Sequence, residues 1–160
     1  MTFDNSKTII SQRIKLFGAT IVLLAYLAMA YIIGMIKFPL LGMGDTVWTV
    51  LLIGIWLLLA FLPMILNYQY ISYSDDGDFI VFRYFTSGMI SGKKNSVEIS
   101  KASFSGYKIE TRFFGLIKSI ILFQKFQEGL AKYPPVYISA LTSAEKAKLI
   151  KSLNNHTPAA

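Results

Sequence analysis

The stretch Ser74-Asp75-Asp76-Gly77-Asp78 crowds three carboxylates into five residues, and His156 is the one histidine of the chain. Acid–base or metal chemistry would have to start from these side chains. Hard carboxylate oxygens hold Ca²⁺, but an EF-hand loop needs oxygens at alternate positions and a glutamate several residues later. No glutamate follows in register, and Asp-Gly between two apolar runs is turn chemistry. His156 stands in a polar tail that reads as frayed, whereas a general base must be held by its surroundings. Cysteine is absent, which removes thiolate chemistry and any disulfide framework. The remaining residues assemble no Ser-His-Asp set, carboxylate-pair pocket, P-loop or GxGxxG turn. The expectation is a non-enzymatic protein with no catalytic residue, metal or cofactor.

Cations are more plentiful. Sixteen Lys and Arg against nine Asp and Glu leave a formal charge of +7. Lys93, Lys94, Lys101, Lys108, Arg112, Lys118, Lys125 and Lys132 all lie in the second half of the chain. Anionic headgroups attract such residues by about 1 kcal/mol each near a membrane surface. Lys93, Lys94, Lys101, Lys108 and Arg112 are therefore the candidate contacts to anionic lipid or to an acidic protein partner. A solvated, solubilising surface is the alternative. No nucleic acid is expected, because the aromatic residues of this half alternate as core positions in a domain tethered to a membrane.

The tether follows from where charge is missing. Hydrophobic residues make up 54% of the chain and charged residues 16%, against roughly 25% charged in ordinary soluble domains. Residues 16–74 carry only Lys37 and Asp45. Leu16–Ile36 is an uncharged run of 21 residues, and Val47–Leu66 one of 20. At about 1.5 Å per residue, each matches a hydrocarbon core about 30 Å thick. Trp48 at one end of the second run, and Tyr68 and Tyr70 beyond the other, are interfacial aromatics. Pro63, in the last turn, removes one hydrogen bond and bends the exit. Only Lys37–Thr46 joins the runs, so the two helices form an antiparallel transmembrane hairpin with both chain ends on one side.

Three basic residues precede the first run, one lies in the connecting loop, and twelve follow the second. The positive-inside rule then places both termini in the cytoplasm. Ala28-Met29-Ala30 also matches a signal-peptide cleavage pattern, but the apolar run continues to Ile36, beyond the roughly 7–15 residues of a signal core. It reads as an anchor. Ala30 and Gly34, one helical turn apart, form a small-xxx-small pair that lets helices approach closely, within the hairpin or toward a larger complex. No charge within the spans marks an ion or proton path.

After Leu66 the pattern becomes alternation with turn signals. Tyr68–Tyr73 and Phe79–Phe85 read as strands joined by the Asp-Gly turn, one of the stronger hairpin signals. The loop Thr86–Asn95 leads to a strand at Ser96–Ser100. Phe104–Phe113 sets Tyr107, Ile109 and Phe113 against Lys108, Glu110 and Arg112, the period of a half-buried strand. Phe114-Gly115 turns the chain into Leu116–Phe126, Gly129 marks another turn, and Val136–Ala140 follows Pro134-Pro135 as an edge strand. Thr142-Ser143-Ala144-Glu145 is a capping box opening a helix over 143–153, with Leu149, Ile150 and Leu153 inward.

The stretches DDGDFIVFRYF, GKKNSVEISKASFSGYKIE, FFGLIKSIILF and YPPVYISALTSAEKAKLIKSL resemble those of small bacterial membrane proteins in which two N-terminal transmembrane helices precede a pleckstrin-homology-like (PH-like) domain. The resemblance covers residues 67–154 and the hairpin before them, with six strands read where the PH-like fold has seven. It implies an α+β membrane protein: a basic segment 1–15, a transmembrane hairpin 16–66 (16–36 and 47–66), an antiparallel PH-like domain 67–154 closed by an amphipathic C-terminal helix, and a frayed tail 155–160. It also implies the bacterial inner membrane. PH domains often bind inositol phosphates through basic residues in their first hairpin loop. The matching loop here is Ser74–Asp78 with three acids, so no phosphoinositide is expected. The implied role is protein interaction, assembly or inner-leaflet association, with membrane lipids and a protein partner or second copy as contacts. The alternative is an accessory subunit of a larger membrane complex, held through its hairpin.

Overall fold

The two uncharged runs fold as helices in the computed structural model, which describes residues 1–87, 92–127 and 129–158. Helix α1 spans Ser6–Leu27 and continues as a π-helical turn over Ala28–Ile32; α2 spans Asp45–Ile65. Taken as 27 and 21 residues, both are long and apolar enough to cross a bilayer. The chain divides into two units, residues 10–62 and residues 1–9 with 63–160.

Within the first unit the helices are antiparallel and exchange polar contacts along their lengths. Trp56 Nε1 donates to Thr20 Oγ1 at 2.8 Å, while the Tyr26 and Tyr31 hydroxyls meet Thr49 Oγ1 at 3.0 and 2.7 Å. The helical path ends at Ile32, short of the expected Ile36, because Gly34 adopts φ +70°. This corrects the Ala30–Gly34 pairing: Ala30 lies in the π turn and Gly34 beyond it, so the two share no helical face.

The second unit is the β domain. Eight strands are present among the described residues, two more than the sequence reading: β1 Thr2–Asp4, β2 Gln69–Ser74, β3 Phe79–Thr86, β4 Asn95–Ser100, β5 Phe104–Arg112, β6 Ile117–Phe126, β7 Gly129–Lys132 and β8 Val136–Tyr137. One antiparallel sheet runs β1-β2-β3-β4; the other runs β5-β6-β7, with β8 also on β6. The added strands are the ones local pattern hides. β1 is three residues long and gains its ladder from β2, seventy residues away in the chain. β7 opens on a glycine at φ +149°, which reads as a turn until its pairing with β6 is known. The segment 1–15 is thus a strand followed by the start of α1.

Alternation places the core. Ile71 and Tyr73 on β2, Ile80 and Phe82 on β3, Ile99 on β4 and Ile120 and Leu122 on β6 are fully buried. Helix α3, Ser143–His156, closes this core with Leu149 and Leu153 at 0% exposure, each stabilising the fold by about 1.5–3 kcal/mol. Its N-cap Thr142 accepts from the Glu145 amide, and the Glu145 carboxylate accepts from the Thr142 amide in return. The helix runs past the expected Leu153 to His156, so the tail reading of 155–160 fails at its start; Ala159 and Ala160, like residues 88–91 of the Thr86–Asn95 loop, lie outside the described residues.

Candidate functional site

The β domain has two functional-looking ends, and the strand register tells them apart. The chain leaves it at Asn5 and rejoins it after α2. At the exit, Asp4 Oδ1 accepts the Ser6 amide at 2.8 Å and Asn5 O accepts the Ile9 amide at 3.2 Å, which starts α1. On return, the Asn67 amide donates to Met64 O at 3.2 Å and the Tyr68 amide to Pro63 O at 2.8 Å, with Asn67 at φ +50°. That pair of bonds around a left-handed residue is a Schellman stop. Gln69 follows directly, and its Oε1 accepts the Tyr137 amide of β8 at 2.9 Å.

Three further groups collect at this end. The Ser87 amide donates to Tyr68 O at 2.8 Å and Asn95 pairs with Tyr84, so the exposed Lys93 and Lys94 belong here. Tyr137 pairs with Ser119, two residues from the last ladder pair Arg112–Ile117 of the β5–β6 hairpin. Helix α3 supports the same placement. Its N-terminal half lines a cleft with Thr111 and Lys118, whereas its C-terminal half meets Tyr107, four residues further back along β5, and Asp75, in the turn that follows β2. The hairpin tip, Phe113–Leu116, therefore projects from the end where the chain leaves for the helix pair.

The tip differs from the sequence reading. Phe113 was expected as a core-facing strand residue; it lies beyond the ladder, 65% exposed at φ +53°. Phe114 is 102% exposed, also at φ +53°, and Leu116 is 58% exposed. The Leu116 amide donates to Phe113 O at 3.1 Å across Phe114 and Gly115, both at positive φ, as a type I′ turn demands. Beside the tip stands Arg112, 3.4 Å from Glu110, with Lys118 on the other face of the hairpin opposite Thr111; Lys108, 3.5 Å from the same carboxylate, is four residues further back along β5. Partial burial, then the charge of Lys118, hold the Lys146 ammonium below the usual lysine range, with Glu145 acting the other way.

At the opposite end the acidic turn is a latch. The Ser152 hydroxyl donates to Asp75 Oδ2, His156 Nε2 lies 3.5 Å from the same oxygen, and the Met1 ammonium donates to Asp75 and Asp76. Burial opposes the charge on Asp75, but hydrogen bonds from the Met1 ammonium and Ser152 outweigh it and bring its pKa to about 2. Tyr73, whose hydroxyl meets Ser152 Oγ at 2.7 Å, is pushed up by burial to about 12. Ser152 gives its proton to Asp75 and not to His156, so these contacts tie α3 to the turn that follows β2. His156 is thus held against Asp75 in the last turn of α3 and not in a loose tail. Among the described residues, no group of three or more His, Asp or Glu side chains is arranged to hold a metal ion.

The five candidate cations are split by this geometry. Lys93, Lys94 and Arg112 stand at the helix-side end, Lys108 lies four residues back from Arg112 along β5, and Lys101 is at the latch, donating to Asp75 O at 2.6 Å. Lys118, at the tip, joins the first three. Sequence alone did not single out Asn5, Gln69 or the exposed phenylalanines; the adjacent pair Phe113-Phe114 before glycine was the available signal for the last. Comparison with protein families, curated proteins and solved structures finds no match to this chain.

Proposed function

We propose that this protein is a membrane-anchored binding module: the helix pair spans the bilayer, and a PH-like β domain rests on the inner, cytoplasmic leaflet, where it contacts anionic lipid and assembles with other protein. The observation that supports this reading is the gathering of Lys93, Lys94, Arg112 and Lys118 at the same end of the β domain from which the chain leaves for two bilayer-length helices. A domain tied at that end presents its cations to headgroups, each contributing about 1 kcal/mol near an anionic surface. The basic flanks of both spans support the cytoplasmic side.

The test has two parts. Alkaline extraction of native membranes should leave the full chain in the pellet, and tags at either terminus should be shielded from protease in sealed, right-side-out cells or vesicles. Release into the supernatant, or cleavage of the tags from outside, would overturn the reading.

A second reading is an accessory subunit held through the helix pair, whose exposed apolar side chains, among them Ile21, Val22, Leu24, Val50 and Leu58, are open to acyl chains and to a partner's helices alike. A stoichiometric partner on a native gel after mild detergent extraction would select it.

A further inference from the structure

We infer that the β5–β6 hairpin tip is a lipid-insertion device: Phe113, Phe114 and Leu116 enter the boundary between headgroups and acyl chains, while Arg112 and Lys118 hold the anionic headgroups around them. This deepens the proposed function and rests on it, naming an anionic bilayer surface as what covers the tip.

Three observations carry the inference. First, three large apolar side chains within four residues are exposed at 65%, 102% and 58%. Single exposed apolar residues are ordinary on soluble proteins, but a contiguous cluster at a projecting turn marks an interaction site. Second, the turn is chemically wrong for its own stability. The turn's central positions, Phe114-Gly115, favour Asn-Gly or Asp-Gly, and a bulky residue at positive φ, as Phe113 and Phe114 both are, is a genuine outlier. Phenylalanine at both Phe113 and Phe114 costs local stability, so the aromatic pair is explained by what it touches and not by the turn. Third, the tip sits at the helix-side end, and it is flanked on both faces of the hairpin by cations, with Lys93 and Lys94 at the same end. Apolar tip and cationic shoulders are the pairing that binds interfacial segments to anionic membranes.

The charge pattern favours lipid over a protein groove. A protein pocket for the two rings would need carboxylates placed against each cation, whereas an anionic leaflet meets cations on every side of an inserted tip. The bilayer is also the surface to which the chain is already tied.

The chain has no cysteine, so Phe114→Cys accepts a single environment-sensitive dye in the full-length protein. Reconstitution in vesicles containing phosphatidylglycerol should shift its emission to the blue and make it quenchable by nitroxide-bearing lipids. The same dye at Phe79→Cys, an exposed position that opens β3 beside the acidic latch, should remain in water. Leu116→Cys is the second reporter, in case Phe114→Cys perturbs the turn. Arg112→Glu and Lys118→Glu should each weaken tip insertion in these vesicles by about fivefold or more, with little effect in purely zwitterionic ones. Dyes at both 114 and 116 that match the one at 79 would overturn the inference. Protection that appears only in native membranes and never in protein-free vesicles would assign the tip to a protein and overturn it as well. Alkaline extraction of the same labelled samples is read separately: release of the chain strikes the anchor, while quenching at 114 strikes or sustains the tip.

Discussion

Asn5 Oδ1 accepts the Ile71 amide at 2.8 Å, across 66 residues of chain, while Asn5 Nδ2 donates to Gln69 O at 2.9 Å. The Asn5 amide itself still donates to Ile71 O, at 3.2 Å. Asn5 is where the chain turns from strand into helix, so its own carbonyl is taken by the Ile9 amide. The side-chain amide replaces that carbonyl in the β1–β2 ladder. One residue thus serves both elements, and it is 0% exposed.

Asn5→Ala should leave the Ile71 amide and the Gln69 carbonyl without these partners. Each buried group left unpaired costs about 1–3 kcal/mol. Thermal unfolding in mild detergent should show the loss, and hydrogen exchange at Ile71 should speed up ahead of exchange at Ile99 in the same sheet. Unaltered protection at Ile71 would count against the replacement.

Asp75 makes the latch sensitive to acid. Its folded pKa of about 2 lies below the ordinary 3.8, so its stabilisation is fully present above 3.8 and is lost as pH falls through about 2. After discounting for solvent, Asp75→Asn should cost about 1 kcal/mol at neutral pH. The difference in melting temperature between the two proteins should hold steady from pH 7 down to 5 and close between about pH 4 and 2.

Thr20→Val removes the acceptor of the Trp56 indole within the helix pair. Hydrogen bonds between helices in a bilayer average about 0.6 kcal/mol, rising to about 1–2. A loss in that range by steric-trap or denaturant unfolding in bicelles, with shifted Trp emission, is the expected result.

Phe114→Asn should separate folding from membrane contact. Asparagine suits positive φ next to Gly115, so the isolated stability should be unchanged or raised by about 0.5–1 kcal/mol. Insertion of the tip, read by a dye at Leu116→Cys, should fall. A variant that loses both stability and insertion would mean that the ring packs within the protein.

Much of this architecture is visible locally. Charge-free runs of bilayer length, the Asp-Gly hairpin and the Thr142–Glu145 box each lie within a few residues, and each describes a preference the chain can satisfy without distant help. The predicted strands match six of the eight found, most of them to within one or two residues at their ends. β1 and β7 escaped because three- and four-residue strands owe their existence to a neighbouring ladder and not to their own composition. Phe113 was misread because alternation continues through it, while the ladder stops at Arg112.

The basic residues show the same division. Their number and sign were plain in the sequence, but Lys101 and Lys94 look alike there. Pairing sends one to the acidic latch and leaves the other at the helix-side end. The sequence by itself determined that the chain has two apolar helices, a sheet-rich basic half and one capped helix, because burial periodicity and capping act over a turn or a strand. Only the tertiary structure decided that Asn5 joins Ile71, that Asp75 joins Ser152, and that an aromatic turn and four cations share one end. Those are meetings of residues far apart in the chain, and they depend on register, which no local preference contains.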